Sequence, residues 1–285
     1  MARADAALPA LARPRPAHAS NPRRAPRVGP SIVPAAILLA FLGLPLLGLL
    51  VRATTASDVL AAVQRPIVLD ALRLSLLSTA AVLALALGFG SPLALLLAHS
   101  RLRVVAVLDS LVDLPIVLPP AVAGLALLLT FGRRGVLGTS LDALGIQLPF
   151  TTAAVILASL FVATPFYVRA ARSGFLAVPP EIEEAARVEG ASEWQVFRFV
   201  TAPVAAPAMF GGAVLCWARA LGEFGATIMF AGQFPGRTQT MPLAIYAALE
   251  TDTDAALSLS LVLLAISLAL LLLFRRWLRA ATGAT

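Results

Sequence analysis

The chain has 285 residues, 59% apolar and 13% charged, with a formal net charge of +7 and a mean hydropathy of +0.89. Soluble domains carry about a quarter of their residues as charges, so this composition excludes a soluble globular protein and points to lipid as the solvent. All 22 basic residues are arginine; without lysine the chain has no amine for a P-loop nucleotide site, a Schiff base or a Ser–Lys dyad, and Cys216, His18 and His99 are too few for a disulfide framework or a His/Cys zinc site.

Residues 1–30 hold six prolines and six arginines among alanines, a composition that cannot bury a core and predicts a disordered tail. Dividing the remainder at its charges leaves six uncharged stretches of at least 19 residues. Each is close to the ~20 residues that carry a helix across ~30 Å of hydrocarbon, so the expectation is an all-α membrane protein with six transmembrane helices. The first, Val28 to Val51, supplies a span over 31–51, longer than the hydrophobic region of a cleaved signal and so read as an anchor. The second runs from Leu74 to Ser100 and places His99 at its interfacial end. The third, Leu114 to Gly132, carries Pro115, Pro119 and Pro120, which remove backbone donors and bend a helix; a bend opens a cavity, although proline is also simply tolerated in membrane helices. Gly124 beyond them suits close helix packing. After Arg133 and Arg134 the fourth stretch spans Ala143 to Val168.

Between the fourth and fifth spans a polar loop, 169–203, contains PPEIEEAARVEGASEWQVFRFVTAP. Pro179 and Pro180 suit a helix start, Glu181, Glu183 and Glu184 favour its positive end, and Gly190 can adopt the left-handed conformation that ends it. Ser192 and Gln195 have the spacing of a capping box, predicting a second helix that exposes Trp194, Phe197 and Val200 and stops at Pro203. Two short helices meeting at a glycine, with Ala185 and Ala186 leaving room for close approach, make a docking knob or else a hairpin lying on the membrane surface.

The fifth stretch, Phe199 to Ala218, contains Cys216, a small packing residue, and leads into Arg219 and Glu223, which can pair at a spacing of four. A membrane-embedded ionisable pair is a candidate pathway lining, or a structural ion pair near the interface. Gly222, Gly225 and Gly232 allow close approach or a break. The gaps Phe224 to Gly236 and Thr238 to Leu249 are too short to span and read as interfacial, re-entrant or continuous with the fifth helix; Ala255 to Phe274 is the sixth span. With six spans both termini share a side, and placing them in the cytoplasm puts fifteen arginines inside and seven outside, as the positive-inside rule requires. Arg133, Arg134 and Arg237 then lie outside, where they meet a partner or headgroups, or attract an anion.

Glu184-Ala185-Ala186, then Gly190, then Val200-Thr201-Ala202-Pro203 resembles the EAA loop of ABC-importer permeases with the type I fold, keeping the family's spacing while Val200 and Ala202 replace its usual Ile and Leu. From about Arg73 to Leu273 the resemblance extends further, through Asp113–Pro120, Phe131–Gly135, Ala220–Met229 and Pro235–Thr240, toward permeases for molybdate, with those for tungstate and for sulfate or thiosulfate close behind. It implies a non-catalytic permease subunit in the plasma membrane of a bacterium: a homodimer of permease chains, two cytoplasmic ATP-binding subunits that hold ATP and Mg, and an external molybdate-binding protein. It further implies alternating access driven by ATP in the partner. Glu184, Ala185, Ala186 and Gly190, with Trp194 and Phe197, would contact the ATPase; Pro119, Pro120, Gly124, Arg219, Glu223 and Thr227 are the pathway candidates. No cofactor is implied in this chain, and nucleic acid is not an expected partner. An ion-coupled carrier would want ionisable groups at mid-membrane depth, which the six stretches scarcely offer. A membrane enzyme using Glu181 to Glu193 would want a histidine or lysine beside acids whose helix-start placement already explains them.

Overall fold

The computed structural model describes residues 29–53, 65–100 and 103–282; the predicted tail up to residue 28 lies outside them. Among the described residues every regular element is helical. The chain divides into two units, Met1–Leu47 and Gly48–Thr285. Most of α1, Gly29–Ala53, belongs to the first; it contains Pro34 and Pro45, and its Ile32–Arg52 portion is long and apolar enough to cross a membrane.

The second unit takes in the end of α1 and then α2, Pro66–His99, whose 34 residues reach ~50 Å at 1.5 Å each, more than a bilayer core requires. Next come α3, Arg103–Val117, and α4, Pro120–Phe131, bent by 117° at the break between them. The third predicted stretch therefore does not form a straight helix. Pro119 and Pro120 cannot continue the hydrogen-bond ladder, so the span breaks where they stand and its first arm begins well before Leu114. A short α5, Gly138–Ala143, precedes α6, Thr152–Leu176. The stretch assigned to Ala143–Val168 is thus displaced along the chain. Dividing at charges failed here because Arg169 and Arg172 lie inside the helix, compensated by carboxylates from α3.

Beyond α6 come α7, Pro180–Val188, and α8, Glu193–Val196, which passes through a π-helical turn, Phe197–Thr201, into α9, Ala202–Leu221. The predicted stop at Pro203 does not occur: Pro203 sits in the first turn of α9, where its missing N–H costs nothing. The loop expected over 169–203 contracts accordingly, because helices enter it from both ends. The chain ends with α10, Gly225–Ala231, α11, Met241–Leu249, and α12, Thr253–Thr282. Both short gaps form separate helices, not an extension of the fifth span, since the chain breaks at Gly222–Phe224. Among the described residues five helices are long and apolar enough to span, six when the bent pair counts as one.

The centre is α6, packed between α2 and α9 through small residues. A Cβ on Gly174 would lie 2.7 Å from Ala208 Cβ, one on Gly212 2.6 Å from Ala170 Cβ, and one on Gly90 2.9 Å from the Tyr167 ring. In lipid no hydrophobic force distinguishes helix contact from tail contact, so this close backbone approach supplies the dispersion that holds the helices. Tyr167 is fully buried among them, its hydroxyl 2.5 Å from Ser91 Oγ, so the ring fills the interface and its polar end is satisfied.

Candidate functional site

The corner between α7 and α8 is built by local rules. Pro179 and Pro180 open α7, with Glu181 and Glu183 in its first turn. At its end Gly190 takes φ +89°, Gly190 N–H donates to Arg187 O at 3.0 Å and Ala191 N–H to Ala186 O at 3.0 Å, the paired bonds of a Schellman motif. Two residues later the predicted capping box is present: Ser192 N–H donates to Gln195 Oε1 at 2.7 Å and Gln195 N–H to Ser192 Oγ at 3.4 Å. Across the corner Arg187 Nε donates to Glu193 Oε1 at 2.8 Å and Nη2 to Oε2 at 3.2 Å. That hydrogen-bonded carboxylate raises the proton affinity of the Arg187 guanidinium above its ordinary value. In solvent such a fork adds geometry more than stability.

Glu183 was expected to act only as a first-turn acid. It is buried instead: Thr201 Oγ1 donates to its Oε1, and Arg187 Nη2 and His99 Nε2 each stand 3.9 Å from its Oε2. One carboxylate thus ties α7 to the π-helical turn and reaches the end of α2. Nothing local in the sequence separates Glu183 from its neighbours; its partner comes eighteen positions later. Glu184 and Ala185 face outward and Ala186 is half-buried. Trp194 is exposed as expected, at 64%. Phe197 and Val200 are not the exposed residues predicted; both are half-buried, because the π turn rotates them inward and seats Phe197 between Trp194 (5.7 Å) and Phe175 (6.3 Å). Their places on the surface fall to Phe199 and, on α7, to Val188. Ala186, Glu189, Gly190, Gln195 and Phe199 line a shallow hollow at the corner.

At the opposite end of α6 the pathway candidates gather into one seam. A Cβ on Gly124 would lie 2.6 Å from Met229 Cβ and 2.7 Å from Ala226 O, and one on Gly225 2.5 Å from Pro120 Cβ. Pro120 and Gly124 on α4 therefore touch α10, which also carries Thr227, wholly buried with its hydroxyl unpaired; Pro119 caps α4 at the bend. Arg219 Nη1 meets Glu223 Oε2 at 2.7 Å, and Glu223 Oε1 accepts from Ala226 N–H at 2.8 Å. Glu223 is 2% exposed, so the carboxylate both neutralises Arg219 and satisfies the start of α10. Counting forward from Gly212, which lies against Tyr167 and Ala170, the pair falls within the length of α6, short of its Thr152 end. Gly232, at φ +70°, ends α10. Cys216 is buried in the core as a packing residue. Arg133 Nη2 donates to Gln147 Oε1 at 2.7 Å, and Arg237 lends its carbonyl to Thr152.

The seam leaves no room for a methyl group, so Gly124→Ala is expected to destabilise the fold by about 1–3 kcal/mol. The unfolding midpoint in detergent measures this. Gly88→Ala, at a glycine inside α2 with nothing within 4 Å of its Cβ position, should leave the midpoint unchanged or raise it slightly, because alanine favours the helix.

Residues 90–282 match a family described as the binding-protein-dependent transport system inner membrane component. The molybdenum transport system permease protein of Mycobacterium tuberculosis is 41% identical over 220 residues, 77% of this chain and 83% of its own length. That of Escherichia coli K12 is 42% identical over 183 residues, 64% of this chain and 80% of its own. The molybdate/tungstate transport system permease protein of Thermococcus kodakarensis is 36% identical over 212 residues, 73% of this chain and 79% of its own. In structure the chain is similar to a bacterial ABC transporter that imports alginate (TM-score 0.67, 18% identity, 89% of this chain and 95% of that one). It is also similar to the inward-facing MetNI methionine ABC transporter (TM-score 0.61, 17% identity, 75% and 96%). At these identities the structures speak for the fold, an all-α type I ABC-importer permease.

Proposed function

The chain belongs to the binding-protein-dependent transport system inner membrane components, and from that premise we propose that it is the permease subunit of an ATP-driven importer of molybdate. The observation that carries the reading is a sequence identity of 41% to a molybdenum permease over 83% of that relative's length. Tungstate is the second substrate, on the name of the Thermococcus kodakarensis relative.

Two copies of the chain enclose the pathway, with both termini and the α7–α8 corner in the cytoplasm. Lacking lysine, the chain leaves ATP and Mg to two separate motor subunits, and an external binding protein delivers the oxyanion. The motors dock on the corner through Glu184, Ala185, Ala186, Gly190, Trp194 and Phe197. Phe197 acts from behind, as the surface on which Trp194 stacks. The corner suits transmission because the Gly190, Ala191, Ser192 and Gln195 N–H groups are satisfied internally and Glu183 pins it to α9's approach, so a push moves it as a unit. That push reaches α6 and α9, which flank it in the chain. Pro119, Pro120, Gly124, Arg219, Glu223 and Thr227 line or shape the far end of the pathway. Arg219 offers positive charge to a dianion while Glu223 keeps that attraction weak, which favours release over retention. Selection then rests with the binding protein.

The test is radiolabelled molybdate uptake into vesicles holding this chain, its ATPase and the external binding protein. Uptake should require ATP and all three components, and unlabelled tungstate should compete while sulfate does not. Accumulation by this chain alone, or preferential competition by sulfate, would overturn the assignment.

A further inference from the structure

The structure holds a four-residue charge cluster that the docking corner and the pathway seam do not include. Asp109 and Asp113 stand four residues apart on α3, and Arg169 and Arg172 three apart on α6. Arg169 Nε donates to Asp113 Oδ1 at 2.5 Å, with Nη2 against Asp113 Oδ2. Its Nη1 donates to Asp109 Oδ1 at 2.7 Å and its Nη2 to the Asp109 carbonyl at 3.0 Å. Arg172 Nη1 meets both Asp109 oxygens, at 3.1 and 3.2 Å, while its Nε donates to Leu97 O at 3.3 Å, in the last turn of α2. Two carboxylates and two guanidiniums cancel, and every charged group is partly buried among apolar helices.

Three elements thus meet at one point: the end of α2, the arm of the broken span before its bend, and the helix that continues directly into the docking corner. Apolar faces slide past one another at little cost. A fork of guanidinium–carboxylate bonds has a fixed direction and discrete registers, and opening it leaves partly exposed charges without their partners. The arm it grips leads into the 117° bend, and the arm beyond presses Gly124 against α10 next to Glu223. A displacement of α6 therefore has a stiff route to the far seam.

We propose that Asp109, Asp113, Arg169 and Arg172 form a charge clamp that makes the broken span move with α6, so that solute passage is tied to ATP turnover. These are positioning residues for transport. The inference rests on the importer reading and adds to it the joint between motor contact and pathway.

A replacement that keeps packing but removes direction separates this role from simple anchoring. The variant Asp109→Leu, Asp113→Leu, Arg169→Met, Arg172→Met should fold about as well as the parent, since apolar residues of similar size commonly replace an ion network set among helices with little loss of stability. In vesicles holding the complete complex, it should hydrolyse ATP while importing about tenfold less molybdate per ATP, the scale expected for residues along a coupling route. A ratio equal to the parent's at an unchanged unfolding midpoint overturns the clamp. Should that variant fail to assemble, the full exchange Asp109→Arg, Asp113→Arg, Arg169→Asp, Arg172→Asp decides, because it reverses every pair of the cluster together. Recovery of the ratio relative to Asp109→Arg, Asp113→Arg alone supports the clamp, and absence of recovery overturns it. If instead the parent complex hydrolyses ATP but imports no molybdate, the substrate assignment fails, and the same ratio is then read with tungstate or sulfate.

Discussion

Gly190→Val is expected to abolish molybdate uptake while the membrane helices remain folded. Gly190 sits at φ +89°, a region that costs an L-residue about 1–2 kcal/mol and a β-branched one more. The two Schellman bonds that close α7 depend on that conformation, so the corner must open or hold strain. No atom of the chain lies within 4 Å of the position a Cβ would take. The damage is therefore not an internal clash; the isopropyl group also projects into the hollow where a motor subunit would seat. Gly190→Asn separates the two causes, because asparagine tolerates the left-handed region but still adds bulk. Uptake and co-purification of the ATPase are the measurements. Loss in both variants marks the hollow as a contact, loss in valine alone marks the backbone, and full uptake in Gly190→Val would remove the corner from the mechanism.

The second large effect is thermodynamic. Arg219→Ala leaves the carboxylate of Glu223, 2% exposed, without its counter-charge inside the bundle. Breaking one side of such a pair costs about 3–5 kcal/mol, on the order of a 10 °C fall in unfolding midpoint for a chain of this size. Glu223→Gln should be milder: the amide oxygen can still accept from Ala226 N–H, and the Arg219 left behind is the more exposed partner. The double variant Arg219→Met, Glu223→Gln should recover most of the loss, because neither charge is stranded. Thermal unfolding in detergent checks all three. If Arg219→Ala were as stable as the parent, Glu223 would not be held as a buried anion.

What could be read from the sequence followed the range of the interaction that decided it. The α7–α8 corner was legible because Pro180, Gly190, Ser192 and Gln195 act within a few residues of themselves, through proline geometry, a left-handed glycine and a reciprocal cap. The spans were legible as apolar lengths, and the pairing of Arg219 with Glu223 as a spacing of four. The displaced bounds of α6 were not, because treating Arg169 and Arg172 as ends assumes that their charge is uncompensated, and the compensation comes from Asp109 and Asp113 some sixty residues earlier. Carboxylates four apart and arginines three apart were the available signal. The burial of Glu183 was hidden likewise, since it depends on Thr201 arriving from a turn of a different hydrogen-bond period. The prolines at 119 and 120 announced a bend but not its size, which is set by where α4 finds α10.

That turn of different period, Phe197–Thr201, separates the corner from the membrane helix it feeds. A π turn holds one residue more than an α turn, and one residue is ~100° of helix rotation. The azimuth at which α8 presents Trp194 is therefore set by a single inserted position, while the helices on either side keep their own sequences. Across related chains, gain or loss of that one residue would swing the aromatic surface around the axis to meet a differently shaped motor, leaving the bundle untouched.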